Sequence, residues 1–222
     1  MRLLVSFLLI LVLNACAGPQ LRGTGDLGLI IERASGNVTL VNTTSRQPYA
    51  RIGGLGDLSH ASVVYSRDGR YAFVFGRDGG LTKLDLLDAK IVKRVIQSGN
   101  AIGGSISQDG RIVVAQNYTP GGIKAFDAET LELLSEVPAE YAPGKFSKVV
   151  GLADVPGHKF AYALFDGGEI SQPSAARSGG LAPATTRTPT GRVRSPTVRS
   201  SASASIAACT AGGQVVNSSR NR

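Results

Sequence analysis

Cysteine is scarce in this chain of 222 residues, and its two copies stand far apart, at Cys16 and Cys209. The body between them contains no disulfide of its own, so its stability has to come from packing. Aromatic residues make up only 6% of the chain, while 42% is hydrophobic and 18% is charged. This composition excludes a bundle of membrane spans, a collagen-like chain and a wholly disordered chain.

Acidic residues are absent from residues 171–222, which carry seven arginines and no lysine. This segment supplies nearly all of the net charge of +8, and residues 1–170 are close to neutral. Basic proteins commonly bind nucleic acid or anionic membranes, but here the charge describes the tail, so we expect no nucleic-acid partner. Because its apolar residues are too scattered to define a core, we predict a disordered basic tail over 171–222. An alternative is sequence read out of frame after Ile170.

The N-terminus is typical of an exported lipoprotein. Residues 3–13 are apolar except for Ser6, which is too short for a membrane span of about 20 residues but suits a signal peptide. The small residue Ala15 directly precedes Cys16, and this pair resembles a bacterial lipobox. We therefore predict a lipoprotein signal peptide over 1–15, lipidation at Cys16 and a linker over 16–27. Ala17 favours the outer membrane, facing the periplasm. An ordinary signal peptide that leaves Cys16 free is the alternative.

Residues 28–170 repeat. Ser66-Arg67-Asp68-Gly69-Arg70 recurs forty-one residues later as Ser107-Gln108-Asp109-Gly110-Arg111. We align glycines at 36, 80, 122 and 168, with spacings of 44, 42 and 46. Short apolar or alternating runs lie between Asp-Gly and Gly-Gly pairs, which favour tight hairpins.

Four strands in about 40 to 45 residues are typical of a β-propeller blade. We therefore predict an all-β fold, a partial β-propeller of about three blades of an expected eight, followed by the disordered tail. The last repeat stops within a strand at Ile170, which supports the expectation that the chain is truncated or frameshifted there.

His60 is the most informative of the two histidines, because it ends a glycine-rich loop and precedes the predicted innermost strand of a blade. Loops at this place converge on the propeller axis, where an imidazole can bind a metal centre. A structural histidine is the alternative. His158 lies in a Pro-Gly turn and needs no function. The sequence lacks a Ser/His/Asp set, a cysteine metal cluster, a phosphate-binding loop and a dinucleotide fingerprint.

Four segments around these residues carry a family resemblance: Gly23-Thr24-Gly25-Asp26-Leu27-Gly28, Ile31-Glu32-Arg33-Ala34-Ser35-Gly36, Asp57-Leu58-Ser59-His60-Ala61-Ser62 and Phe75-Gly76-Arg77-Asp78-Gly79-Gly80. They resemble the NirF family, exported propellers of haem d1 biosynthesis. A weaker resemblance extends to the d1-haem propeller of cytochrome cd1 nitrite reductase.

The resemblance implies binding of haem d1 or its late precursor, with His60 as the iron ligand. It assigns Arg33 and Arg77 to the carboxylates of the ring, which guanidinium groups bind bidentately. The resemblance also implies that Tyr118 forms part of the wall of the pocket. Where the reductase has a further arginine, this sequence has Gly103-Gly104-Ser105, so one carboxylate contact is missing.

The function implied by the resemblance is maturation of nitrite reductase, with the reductase and other maturation proteins as partners. Whether the protein catalyses a reaction or only holds the tetrapyrrole stays open at this point. Two alternatives also stay open. One is a propeller that serves as an interaction platform for nitrite reductase assembly, and the other is an inactive truncated fragment.

Overall fold

The computed structural model describes residues 23–156, 159–171 and 187–188. Regular structure in these residues is β, apart from one turn of 3-10 helix at Thr24–Asp26. None of the described residues forms a helix that is long and apolar enough to cross a membrane. Cys16, His158 and Cys209 lie outside the described residues, as do the predicted signal peptide and most of the predicted tail.

The described strands form four antiparallel sheets, which we number as blades 1 to 4, and a short hairpin. Blade 1 contains β1 (Leu27–Glu32), β2 (Asn37–Asn42) and β3 (Gln47–Ile52). Blade 2 contains β4 (Ser62–Tyr65), β5 (Tyr71–Phe75), β6 (Gly80–Asp85) and β7 (Lys90–Ile96). Blade 3 contains β8 (Asn100–Ile106), β9 (Ile112–Thr119), β10 (Ile123–Asp127) and β11 (Leu133–Val137). The hairpin is β12 (Glu140–Ala142) and β13 (Lys145–Phe146), and blade 4 contains β14 (Val149–Val155), β15 (Lys159–Leu164), β16 (Glu169–Ser171) and β17 (Arg187–Thr188).

Each blade is a meander in which every strand pairs with the next one along the chain. The first strands of blades 2, 3 and 4, which are β4, β8 and β14, also contact one another from blade to blade. These first strands are therefore the innermost strands. Since β3 leads into the first strand of blade 2, blade 1 begins at its second strand. The all-β, partial-propeller prediction is confirmed.

The core lies between the blades. Leu29 and Leu40 of blade 1 pack with Val74 of blade 2 in one cluster, while Phe73 and Phe75 face the opposite side, toward blade 3. Because both faces of blade 2 are covered, β6 is buried at every position, as are the last four residues of β5. A strand buried on both faces loses the polar and apolar alternation of a half-exposed strand.

The repeated Ser-x-Asp-Gly-Arg turns have the same hydrogen bonds. In blade 2, Ser66 Oγ donates to Asp68 Oδ1 and accepts from the Tyr71 N–H, at 2.5 and 2.8 Å. In blade 3, the corresponding Ser107 bonds measure 2.6 and 3.0 Å. Since the loop is closed by its own side chains, it forms wherever the sequence repeats.

In blade 2 the repeated glycine lies one residue earlier than the sequence alignment predicted. A glycine with positive φ directly precedes the third strand of each blade, at Gly36, Gly79, Gly122 and Gly168. Gly79, not Gly80, is therefore the equivalent of Gly36. The reason is steric, because only glycine adopts this left-handed conformation without strain, whereas Gly80 is the first residue of β6.

Cationic side chains tie blade 2 to backbone carbonyls of blade 3. The Arg67 guanidinium donates to the carbonyls of Ile106 and Ser107 at 2.8 and 2.9 Å. Lys83 Nζ donates to the Glu129 carbonyl at 2.9 Å and lies 4.3 Å from the centre of the Tyr71 ring. Burial lowers the pKa of the Lys83 amine. The ties fix neighbouring blades to one another at the end where the repeated turns lie.

Candidate functional site

The candidate site residues lie at one end of the blades. Antiparallel strands alternate in direction, so the loop that enters a first strand and the loop that joins the second strand to the third meet at the same end. We call this the loop end. It holds loop 53–61 before β4, the β5–β6 loop 76–79 and the β1–β2 turn 33–36. His60, Arg77 and Arg33 are therefore at the same end, and the repeated turns lie at the other.

Loop 53–61 is anchored from below. Leu55 and Leu58 are 0% and 1% exposed and belong to the cluster between blades 1 and 2. Between them, Asp57 Oδ1 accepts the Ser59 N–H at 2.8 Å, which shapes the turn that ends at His60. The hydrogen bond to Ser59 holds the pKa of the Asp57 carboxyl below its usual range, and the charge of Arg77 adds to the effect. The His60 imidazole is exposed and has no hydrogen-bond partner among the described residues.

Arg77 lies opposite His60. Ser62 pairs with Phe75 at the end of the β4–β5 ladder, and His60 and Arg77 each lie two residues beyond this pair. The Arg77 N–H donates to the Asp57 carbonyl at 2.8 Å, so the two loops are joined by a backbone hydrogen bond. The Arg77 side chain is exposed and forms no ion pair within the described part of the chain.

Asp78 and Arg94 hold these two loops in place. Arg94 Nη2 donates to Asp78 Oδ2 at 2.5 Å, and Arg94 Nε donates to the Leu55 carbonyl at 3.1 Å. Asp78 Oδ1 also accepts the Gly80 N–H at 3.0 Å. The pair is half-buried, with 24% of the Arg94 side chain and 31% of the Asp78 side chain exposed. Asp78 therefore positions loop 76–79 against loop 53–61.

Arg33 lies on the turn that rests against loop 53–61. A Cβ on Gly36 would lie 2.5 Å from the Gly56 carbonyl oxygen, so the turn and the loop are in contact. The neighbouring carboxylate of Glu32 is taken by Arg51, whose Nη2 lies 2.5 Å from Glu32 Oε2. Hydrogen bonds from Arg51, Thr39 and Ser35 hold the pKa of Glu32 well below its usual range. Arg33 itself is exposed and unpaired within the described residues.

Tyr118 also lies at the loop end, near the end of β9, but beside blade 4. It is half-buried and lines a cavity of about 300 Å³ together with Lys148, Val150 and Phe165. The preceding residue, Asn117, is fully buried and forms two reciprocal amide hydrogen bonds with Gln97, at 2.8 and 3.0 Å. This amide pair fixes the end of β9 and therefore positions Tyr118.

The loop end fits a planar ring with an iron centre and carboxylate side chains. His60 offers an exposed imidazole, and the unpaired guanidinium groups of Arg33 and Arg77 match carboxylates. Among the described residues, no group of three or more His, Cys, Asp or Glu side chains is placed to hold a metal ion.

The glycines at 103 and 104 explain the missing arginine. A Cβ on Gly103 would lie 2.9 Å from Ser62 Oγ and 3.2 Å from Gln116 Nε2, and a Cβ on Gly104 would collide with the Phe75 ring. The blade 2 and blade 3 strands approach too closely here for a long side chain. No local sequence pattern marks the Asp78–Arg94 and Gln97–Asn117 pairs, because the partners are far apart in the chain.

The fold is that of a β-propeller domain, and the family match assigns this domain to the d1 haem class. The model of the cytochrome D1 heme domain matches residues 22–188, and the chain belongs to this family. Protein NirF of Pseudomonas aeruginosa is 59% identical over 172 residues, covering 77% of this chain and 44% of that protein. Dihydro-heme d1 dehydrogenase of the same organism is 34% identical over 146 residues, covering 65% of this chain and 29% of that protein. The chain thus spans less than half the length of these curated relatives.

Solved structures agree with this assignment. Dihydro-heme d1 dehydrogenase NirN in complex with DHE superposes with a TM-score of 0.68 at 29% identity, covering 79% of this chain and 38% of that chain. The Cps50 (Swd1) β-propeller domain of Myceliophteria thermophila superposes with a TM-score of 0.60 at 14% identity, covering 73% and 52%. The second likeness shows the propeller fold alone.

Proposed function

We propose that the protein binds haem d1 or its late precursor at the loop end and takes part in haem d1 biosynthesis for the maturation of nitrite reductase. In this proposal the His60 imidazole is the axial ligand of the iron, and Arg33 and Arg77 bind carboxylates at the edge of the ring. Tyr118 contributes to the wall. The similarity to NirF and to dihydro-heme d1 dehydrogenase supports this function.

The observation that carries the proposal is the convergence of three loops that bear unpaired polar side chains. Arg77 is joined to loop 53–61 through the Asp57 carbonyl, and the Arg33 turn contacts the same loop through Gly36. Of the acidic groups beside them, Glu32 is paired with Arg51 and Asp78 with Arg94, while Asp57 accepts the Ser59 N–H and interacts with the charge of Arg77. Arg33 and Arg77 form no ion pair among the described residues and are therefore available to an anionic ligand.

A spectral titration tests the proposal. Haem d1 is added to the purified 222-residue chain, and the Soret band is followed to saturation. We expect Arg77→Ala to weaken binding about 10-fold, because one charge-assisted hydrogen-bonded pair is lost. Arg111→Ala is the matched control, because Arg111 is an exposed arginine of a repeated turn at the opposite end. It should leave the titration unchanged.

His60→Ala tests the axial ligand separately. We expect this variant to lose the spectral signature of nitrogen ligation, and added imidazole should restore it because the small molecule supplies the missing donor. If His60→Ala matches the wild type in both affinity and spectrum, His60 is not the axial ligand of the iron. Unchanged titrations of both His60→Ala and Arg77→Ala would favour the interaction-platform alternative.

We also propose that the protein is a lipoprotein of the outer membrane that faces the periplasm, anchored through Cys16 after removal of a signal peptide over 1–15. The support is the apolar run followed by Ala15-Cys16. Cys16→Ser should release the protein from the membrane fraction into the soluble periplasm, and membrane density fractionation of the wild type should place it with outer-membrane markers. Retention of Cys16→Ser in the membrane fraction contradicts the anchor.

A further inference from the structure

A second group of exposed side chains lies at the loop end, on blade 4, outside the His60 and arginine set. Residues 146–150 alternate, with Phe146, Lys148 and Val150 exposed and Ser147 and Val149 buried. Successive residues of an extended segment point to opposite sides, so the three exposed residues share one side. Phe165 is 63% exposed. We call Lys148, Val150 and Phe165 of blade 4, together with the half-buried Tyr118 of blade 3, the blade 4 patch; these four residues line the 300 Å³ cavity.

The backbone under the blade 4 patch is held by a closed set of hydrogen bonds. The Phe165 N–H donates to the Lys148 carbonyl at 3.0 Å, and the Lys148 N–H donates to Asp166 Oδ2 at 3.1 Å. The Asp166 N–H in turn donates to the buried Ser147 Oγ at 2.8 Å. Lys148 and Phe165 are therefore fixed side by side. Because the Phe165 ring is exposed to water, covering it with an apolar ligand surface would be favourable.

The patch occupies the same place in its blade as the predicted haem ligands do in blade 2. Lys148 directly precedes the innermost strand β14, and His60 lies just before the innermost strand β4. Phe165 directly follows the second strand β15, and Arg77 follows the second strand β5. The repeat therefore brings the patch to the same rim as His60 and Arg77.

The charge of the patch indicates what it binds. Lys148 Nζ lies 5.6 Å from the centre of the Phe165 ring. Lys148 forms no ion pair with a carboxylate in the described ranges. The Asp166 carboxylate is occupied by the backbone N–H of Lys148 and by Ser147 Oγ. An ammonium group beside an exposed aromatic ring matches the rim of a planar ligand, which has an apolar edge and pendant carboxylates.

We propose that the blade 4 patch binds the carboxylate-bearing periphery of the tetrapyrrole, with Lys148 pairing with a carboxylate and Phe165, Val150 and Tyr118 contacting the ring edge. This inference rests on the proposed function and adds side chains of a further blade to the same binding site. Blade 3 has Gly103-Gly104-Ser105 where the reductase has an arginine. In this proposal Lys148 supplies part of the positive charge that such an arginine would offer to the ligand's carboxylates.

Iron-free uroporphyrin, a carboxylate-rich ring, isolates the patch from axial ligation. The full chain is titrated with uroporphyrin and, separately, with haem d1. We expect Lys148→Ala to weaken the binding of both rings about 3- to 10-fold and to reduce the salt dependence of the affinity. Phe165→Ala should weaken both without changing the salt dependence. Lys159→Ala, an exposed lysine at the other end of blade 4, is the matched control and should change neither.

A second readout locates the contact without any variant. The protein is acetylated on lysine with and without saturating uroporphyrin, and modified peptides are quantified by mass spectrometry. Bound ring should protect Lys148 several-fold, while Lys145 on the neighbouring hairpin and Lys159 should react equally in both samples.

The outcomes separate this inference from the proposed function. Haem d1 binding that depends on His60 and Arg77 but not on Lys148 or Phe165 overturns the patch and leaves the proposed function standing. Weakened uroporphyrin binding in Lys148→Ala, together with unchanged haem d1 binding in His60→Ala, supports the patch and removes the axial ligand. If the wild-type chain binds neither ring, both proposals are withdrawn.

Discussion

The Asp78–Arg94 pair offers a quantitative test of how the candidate site is held together. Asp78→Asn keeps the shape of the side chain but removes the charge that Arg94 meets at 2.5 Å. Arg94→Gln removes the guanidinium and its bond to the Leu55 carbonyl. If these residues act as one unit, the two substitutions together should cost less free energy of unfolding than the sum of the single substitutions.

The magnitude follows from burial. Hydrogen bonds to charged groups contribute about 1.5 to 3 kcal/mol when buried, whereas exposed ion pairs contribute about 0.2 to 1 kcal/mol. The two side chains are 24% and 31% exposed, so a coupling energy of about 1 to 2 kcal/mol is expected between these limits. The exposed pair Lys90–Asp88, with 61% and 48% exposure, is the control. Its coupling should be about 0.5 kcal/mol or less.

Equilibrium urea unfolding, followed by circular dichroism, measures all four proteins of each cycle under the same conditions. Each site variant is also titrated with haem d1, because loosened loops should weaken binding although neither residue is proposed to touch the ligand. A coupling energy for Asp78 and Arg94 no larger than that of the Lys90–Asp88 control would refute the argument that this pair positions the loops.

Two further predictions concern blade 1. Gly36→Ala should lower the free energy of unfolding by about 1 to 3 kcal/mol in urea, because the positive φ is strained for alanine and the new Cβ would meet the Gly56 carbonyl oxygen. Gly144→Ala is the control, since its φ is also positive but nothing lies within 4 Å, and it should cost less. Equal losses in the two variants would contradict the contact between Gly36 and Gly56. Glu32 has a lowered pKa in the folded protein, so its contribution to stability is complete above its ordinary value near 4.5 and is lost as the pH falls below it. Glu32→Gln should therefore make the acid-side loss of stability shallower, whereas the exposed Glu132→Gln should not; parallel pH profiles for wild type and Glu32→Gln would count against the reasoning.

The blade architecture was predictable because its signals are local. The Ser-x-Asp-Gly-Arg turns close through their own side chains, and Asp-Gly pairs mark hairpins wherever they occur. The third-strand glycine was predicted with an error of one residue in blade 2, because Gly79 and Gly80 are adjacent and the sequence does not say which of them carries the positive φ. The repeat also placed His60 at the end of a blade where loops converge, whereas Arg33 and Arg77 were predicted from the family resemblance.

The connections between these loops were not predictable, because each depends on a partner in another element. Asp78 is paired with a residue on the outermost strand of its blade, and Gln97 with a residue of the next blade. Lys148 and Phe165 come together only when β14 and β15 pair. Long-range side-chain pairs of this kind have no spacing rule, so a single sequence does not reveal them. The roles proposed for His60, Arg33, Arg77 and Tyr118 remain predictions for the titrations described above.

The two ends of the blades differ in how regular their loops are. At one end the same turn recurs in blades 2 and 3, and Arg67 of the first copy donates to backbone carbonyls of blade 3. At the other end the loops differ in length, from the short 76–79 connection to the hairpin-bearing segment before β14. Changes to the exposed residues of the loops at that variable end therefore leave the Arg67 contacts at the opposite end in place. For protein engineering, the loop end is therefore the place where the size and charge of a binding surface can be redesigned one blade at a time, while the end with the repeated turns is kept unchanged.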